Sequence, residues 1–251
     1  MAVAILAPGT SSDNYLSPGI SSFVFLDRSK SKVIKVPRGI DQRPELEVEK
    51  KIYERLGCDG HHSGLLRLLK AELFADGSAW ALHLEYASEG QLSVFLRDKY
   101  DRIKELDLQT RWIRQVGDAL RYVHLKKVVH GDISCNNILL DEHLNARLSD
   151  FAGSSIDGSA PIIACSASHD PPWSGTPQKA DIFALGSVYY HIATGHRPYH
   201  ELPKHEIKSL YEKGLFPETG SLGWVGSIVE RCWEGKHDCM DAVMADIDRQ
   251  S

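Results

Sequence analysis

The run His130-Gly131-Asp132-Ile133-Ser134-Cys135-Asn136-Asn137 sets a carboxylate five residues before a carboxamide, and Asp150-Phe151-Ala152-Gly153 begins thirteen residues after Asn137. Either segment alone reads as a polar turn. Together they supply three oxygen-bearing side chains, Asp132, Asn137 and Asp150. Phosphoryl transfer from ATP uses such a set: a carboxylate orients the acceptor hydroxyl, and anionic or amide oxygens hold Mg2+. It also needs a cation on the phosphates. Lys35, closing the strand-like run Val33-Ile34-Lys35, can supply that cation, and Glu49 can hold it in place. Glu45 and Glu47 are acidic neighbours that would suit a solvated face, but only Glu49 precedes an apolar Ile at a helical step.

These groups need elements to position them. Phe23-Val24-Phe25-Leu26 is an apolar β-favouring run, and Lys32-Val33-Ile34-Lys35-Val36 mixes polar with β-branched residues before Pro37. Val48, Ile52 and Leu56 recur at four-residue steps, predicting a helix over 45–56 that stops at Gly57. Two strands are expected over 65–74 and 79–86, joined across Asp76-Gly77. Beyond Gly90 the pattern turns helical. Trp112, Ile113, Val116, Leu120 and Val123 mark one face of a long helix starting near Leu106. Further helices are expected over 180–194, 205–213, 225–234 and 240–249. Residues 154–177, rich in Ser, Gly and Pro, read as a long loop of the kind that tends to be functional.

Composition sets outer limits. The 251 residues are 42% apolar and 25% charged, a globular balance with length enough for a sizeable core. A net charge of −5 argues against nucleic acid as a partner, since phosphate-backbone binding calls for a basic excess. Five irregularly spaced cysteines with no C-x-x-C pair argue against a disulfide framework and for a reducing compartment. Residues 1–8 lack the basic flank and length of a signal peptide, and no run of 18 apolar residues suggests a membrane span. An intracellular, cytoplasmic location is therefore expected.

Over nearly its full length the chain resembles a eukaryotic protein kinase domain. Lys32-Val33-Ile34-Lys35 is similar to the strand motif V-A-I-K, and Glu49 to the helix glutamate that pairs with its lysine. His130-Gly131-Asp132 with Asn137 resembles H-R-D-x-x-x-x-N, and Asp150-Phe151-Ala152 resembles D-F-G. Asp181-Ile182-Phe183-Ala184-Leu185-Gly186 and Arg231-Cys232-Trp233 resemble two later helical segments of the family. The resemblance implies an α+β, two-lobed fold, with a small antiparallel sheet and one helix (residues 1–86) over a mainly helical lobe (87–251). It implies ATP and Mg2+ in the cleft, and a protein substrate. Asp132, Lys35 and Asn137 would be catalytic; Asn137 and Asp150 would hold the metal. Gly19 would approach the phosphates, and Val24, Val33 and Leu139 would sandwich the adenine. Leu84-Glu85-Tyr86-Ala87 would form the hinge, with Glu85 and Ala87 at the base. Asp181 would be buried on catalytic-loop backbone.

Departures from the family are equally specific. Ser17-Pro18-Gly19-Ile20-Ser21-Ser22 keeps only the middle glycine of G-x-G-x-x-G, which loosens backbone approach to phosphate. Ala152 replaces a glycine, Ser134 stands where a lysine is usual, and A-P-E is missing. Arg231 would then lack its usual glutamate; burial against Asp170 is the expectation. Gly131 removes the arginine that grips a phosphate on the loop, although Ser154, Ser155, Ser159, Ser166 and Ser168 offer hydroxyls there. Three readings remain open: an active protein kinase of serine/threonine type, a nucleotide-binding pseudokinase acting as an interaction module, and a small-molecule kinase.

Overall fold

Alternation along the first strands decides which face each side chain takes. The computed structural model describes residues 14–18, 21–27, 31–105, 107–159 and 166–250. Strands β1 (Tyr15–Pro18), β2 (Ser22–Asp27) and β3 (Lys32–Pro37) lead into helix α1 (Arg43–Gly57), followed by β4 (Leu68–Leu73) and β5 (Trp80–Glu85). They form an antiparallel sheet in the order β1-β2-β3-β5-β4. Register places Val24 opposite Lys35 and Lys35 opposite Leu82; the next row is Leu26, Val33 and Leu84. Directly opposed residues share a face, so Lys35 stands among Val24, Val33, Leu82 and Leu84. The other face packs Phe25, Ile34, Val36 and Ala81 into a small second core with Phe74 and Ala79.

Helix α1 lies against this sheet through Leu46, Ile52, Tyr53 and Leu56, with Glu49 fully buried among them. The helix begins two residues before the expected start and carries Pro44 in its first turn, where a missing N–H costs nothing. The strand expected over 65–74 is shorter: Leu65 and Leu66 lie outside β4, and Leu65 instead makes a parallel bridge to Leu148.

The second lobe runs β6 (Gly90–Gln91), α2 (Leu92–Asp98), α3 (Tyr100–Glu105), α4 (Leu108–Leu125), β7 (Val128–Val129), β8 (Ile138–Leu140), β9 (Ala146–Leu148) and β10 (Ser155–Ile156). It continues with α5 (Pro177–Thr194), α6 (Lys204–Glu212), α7 (Trp224–Trp233) and α8 (Met240–Asp248). All five residues of the expected α4 stripe are buried. Leu106, the expected start, lies outside the described residues. Helix α5 is the axis of this lobe, burying ten of its residues from Asp181 to Ile192. Helix α7 packs on it closely because residue 186 is glycine: a Cβ there would stand 2.8 Å from the Cβ of Cys232. Thr176 caps α5, its hydroxyl accepting from Lys179 N, so Asp181 is an interior residue rather than a cap.

Arg231 departs from expectation. It is half-exposed and pairs with Asp246 on α8 at 3.0 Å, not with Asp170. Asp246 also receives Arg249 and the buried His237, so one α8 carboxylate gathers all three side chains. Among the described residues no helix is long and apolar enough to cross a membrane.

Candidate active site

Lys35 is the centre of the site. Its Nζ lies 2.7 Å from Glu49 Oε2, 2.9 Å from Glu49 Oε1 and 2.7 Å from Asp150 Oδ1. The sheet brings the lysine, α1 the glutamate, and the turn after β9 the aspartate from 115 positions away. Burial opposes the charge on Lys35, but Asp150 and Glu49 outweigh it and hold the ammonium firmly protonated. Lys35 in turn holds the Asp150 carboxyl below its usual range, against the effect of burial. Burial pushes Glu49 upward, with Lys35 opposing. Asp150 adopts a left-handed backbone (φ 65°), one that aspartate tolerates better than most side chains. Its carboxyl remains 46% exposed, so the group that meets Lys35 also reaches solvent.

The second half of the site is the loop between β7 and β8. Asn137 Nδ2 donates to Asp132 Oδ2 and to Asp132 O, both at 2.8 Å, which fixes the Asp132 rotamer and leaves the amide oxygen as the accepting atom. The backbone of this loop is held from behind. His130 N and Gly131 N donate to the two oxygens of buried Asp181, each at 2.8 Å, and His124 meets the same carboxylate at 2.9 Å. Gly131 has φ 78°, a conformation that an arginine there would resist. His130 bridges onward: its Nδ1 accepts from Asp132 N at 3.3 Å and its Nε2 donates to Ser149 O at 3.0 Å. Desolvation raises the Asp132 carboxyl above the usual aspartate value; the Asn137 bond and His130 oppose this, while Asp150 and Asp181 add to it.

Phe151 anchors the Asp150 turn. The ring is fully buried, edge-on to Tyr53 at 5.2 Å and tilted over His130 at 5.0 Å, while its N–H donates to Glu49 Oε1 at 3.3 Å. Ala152 is buried too.

The sequence-derived set is therefore largely brought together: Lys35, Glu49 and Asp150 touch, and Asp132 touches Asn137. Val24 and Val33 share the Lys35 face, Val33 buried and Val24 half-buried, and half-buried Leu139 packs against the same core. Glu85 ends β5, its side chain 3.7 Å from Arg67, and Ala87 is buried just beyond. Gly19 lies outside the described residues. Of the five loop serines, Ser154, Ser155 and Ser168 are buried and offer no accessible hydroxyl; Ser159 and Ser166 are exposed. Ser154 is instead structural, its hydroxyl donating to His130 O at 2.7 Å. The bracing contacts of His130, Ser149 and Tyr53 join residues distant in the chain, and for Ser149 and Tyr53 the residue type carries no positional signal.

Comparison with known proteins agrees with this geometry. A family model described as a protein kinase domain matches residues 29–221. Megakaryocyte-associated tyrosine-protein kinase of Mus musculus is 27% identical over 183 residues, covering 70% of this chain and 36% of the relative. Mitogen-activated protein kinase kinase kinase 1 of Arabidopsis thaliana is 29% identical over 186 residues, 70% of this chain and 29% of the relative. A probable serine/threonine-protein kinase of Dictyostelium discoideum is 27% identical over 161 residues, 59% of this chain and 17% of the relative. The chain thus spans at most about a third of the length of these relatives. With the ordered motifs, the two-lobed fold and a family match over most of its residues, the chain belongs to the protein kinase family.

Proposed function

We propose that the chain is an ATP-dependent phosphotransferase, a protein kinase of serine/threonine type that moves the γ-phosphoryl group of ATP to a protein hydroxyl. The observation that carries this reading is Lys35 Nζ held between Glu49 and Asp150, 2.7 Å from each. That arrangement fixes a buried cation against the half-exposed Asp150 carboxylate, where the phosphates of ATP would lie. Val24, Val33 and Leu139 would wall the adenine, and the backbone at Glu85 and Ala87 would meet its edge. Asp150 and the Asn137 amide oxygen are hard oxygen donors of the kind Mg2+ takes, and Lys35 keeps Asp150 ionised. Magnesium bound there with ATP would supply charge neutralisation on the phosphate oxygens. Asp132 would orient the acceptor hydroxyl and take its proton; its rotamer, fixed by Asn137, favours that role. A protein substrate is what membership of this family implies.

A second reading has its own observation. Ser17 and Ser22 stand where the family carries phosphate-approaching glycines, which favours a nucleotide-gated binding module. The two separate in one experiment. The purified chain is incubated with γ-labelled Mg-ATP and generic protein substrates carrying Ser, Thr and Tyr acceptors. The proposal expects label on serine or threonine. Saturable Mg-ATP binding with no transfer would support the module instead, and label on tyrosine would overturn the acceptor assignment.

A further inference from the structure

The residues after Asp150 are fastened at both ends to α1, the helix that carries Glu49. The near fastening is Phe151, through its N–H on Glu49 and its ring on Tyr53. The far one is Asp157. Arg55 Nη1 donates to Asp157 Oδ1 at 3.1 Å and Nη2 to Oδ2 at 2.9 Å, a two-pronged contact between guanidinium and carboxylate. Arg55 Nη1 also donates to Lys126 O at 3.3 Å, in the turn that precedes β7.

Asp157 is itself placed by backbone. Ser155 and Ile156 pair with Val129 and Val128, and Asp157 N donates to Lys127 O at 3.0 Å. Ser159 accepts from Ile156 N at 3.1 Å, closing the turn. Asp157 has φ 54°, so its carboxylate is presented from a left-handed turn that aspartate tolerates. Lys127 adds a second positive charge beside it. Residues 154–157 are thus laid against 127–130, the strand that runs into the Asp132 loop, and Arg55 ties both to α1.

Gly131 offers no guanidinium to a phosphate on this segment. A two-pronged arginine–carboxylate contact supplies the same chemistry from an unmodified aspartate. We propose that the Arg55–Asp157 pair is a built-in clamp that orders the segment after Asp150 and holds α1, and with it Glu49, in register with Lys35 without phosphorylation. Arg55 is then a positioning residue acting through Glu49, six residues and about 9 Å back along the helix. The regulatory part of this inference rests on the phosphotransfer reading; the ordering part does not.

The experiment compares the parent chain with Arg55→Ala, Asp157→Asn and the double variant. Backbone hydrogen exchange at Phe151 and at 155–159 reads the clamp whether or not the chain transfers phosphate. Both contacts are partly exposed, so the expected effect is modest: about threefold to tenfold faster exchange in each single variant, and no more in the double. Raising ionic strength should speed exchange in the parent but not in Asp157→Asn. In the transfer assay, kcat should fall by a similar factor with KM for ATP within about twofold, and phosphatase-treated parent should keep its rate. Unchanged exchange at 155–159, or additive effects in the double variant, would overturn the clamp. Faster exchange with unchanged kcat in an active parent would overturn its positioning role. An inactive parent would defeat the phosphotransfer reading alone, leaving exchange at Phe151 to decide whether Arg55 acts on Glu49.

Discussion

Removing the Asp181 carboxylate should cost more than its distance from the reacting groups suggests. The side chain is 2% exposed and accepts from His130 N and Gly131 N at 2.8 Å each, with His124 on the same oxygen as His130 N. Asp181→Ala leaves both amides without their acceptor. A buried polar group stripped of its partner costs about 1–3 kcal/mol, so two amides amount to about 2–6 kcal/mol. His130 is fully buried while Gly131 is only partly so; water can reach the second amide, which draws the expectation toward about 2–4 kcal/mol. Asp181→Asn keeps one accepting oxygen and turns an NH2 toward the other amide, so it should lose about half as much. Denaturant midpoints for the three proteins give the stabilities directly, and transfer rates give the effect on the Asp132 loop. A loss below about 1 kcal/mol for Asp181→Ala, or equal losses for both variants, would show that the Asp181 carboxylate does not hold these two amides.

Three further outcomes follow from the same geometry. Lys35→Met strands the fully buried Glu49 and should destabilise the fold by about 3–5 kcal/mol, with Glu49→Gln in the same chain recovering part of it; denaturant unfolding checks both. Because desolvation raises the Asp132 carboxyl, the acidic limb of the pH–rate profile should fall above the ordinary aspartate value of about 3.9, activity being lost as pH drops and the carboxylate protonates. Burial, with His191 and Arg197 assisting, depresses His169 to about 3. The unfolded chain therefore binds a proton below about pH 6.5 that the folded one refuses, so His169 alone contributes a loss of about 1.4 kcal/mol for each unit the pH falls from there. His169→Gln should flatten that slope in urea titrations run between pH 5 and 7.

The parts of the site that could be read from the sequence are those that local patterns control. Lys35 is legible because strict alternation puts it on the same face as Val33, and Glu49 because helical spacing sets it beside Leu46 and Ile52. Asp132, Asn137 and Asp150 are legible because the family motifs they resemble consist of those residue types in that order. What stayed hidden depends on distant packing. Arg55 and Asp157 lie 102 positions apart, and Asp157-Gly158 looks like any turn. Arg231 finds Asp246 rather than Asp170 because α8 folds back beside α7, which no spacing within either helix announces. Helices α2 and α3, of seven and six residues, are too short to establish a 3.6-residue period, and the two-residue strands β6, β7 and β10 have no alternation to detect.

On the proposed function, Asp132 serves phosphoryl transfer in a site organised by Lys35 and Asp150. The most direct test of this role is Asp132→Asn, which keeps the shape of the side chain and removes the charge that would accept a proton. Initial rates of γ-phosphate transfer and equilibrium Mg-ATP affinity are measured side by side on parent and variant. Turnover should fall by about 10²–10⁴ while ATP affinity stays within about threefold. Undiminished turnover in Asp132→Asn would show that Asp132 is not the group that accepts the proton.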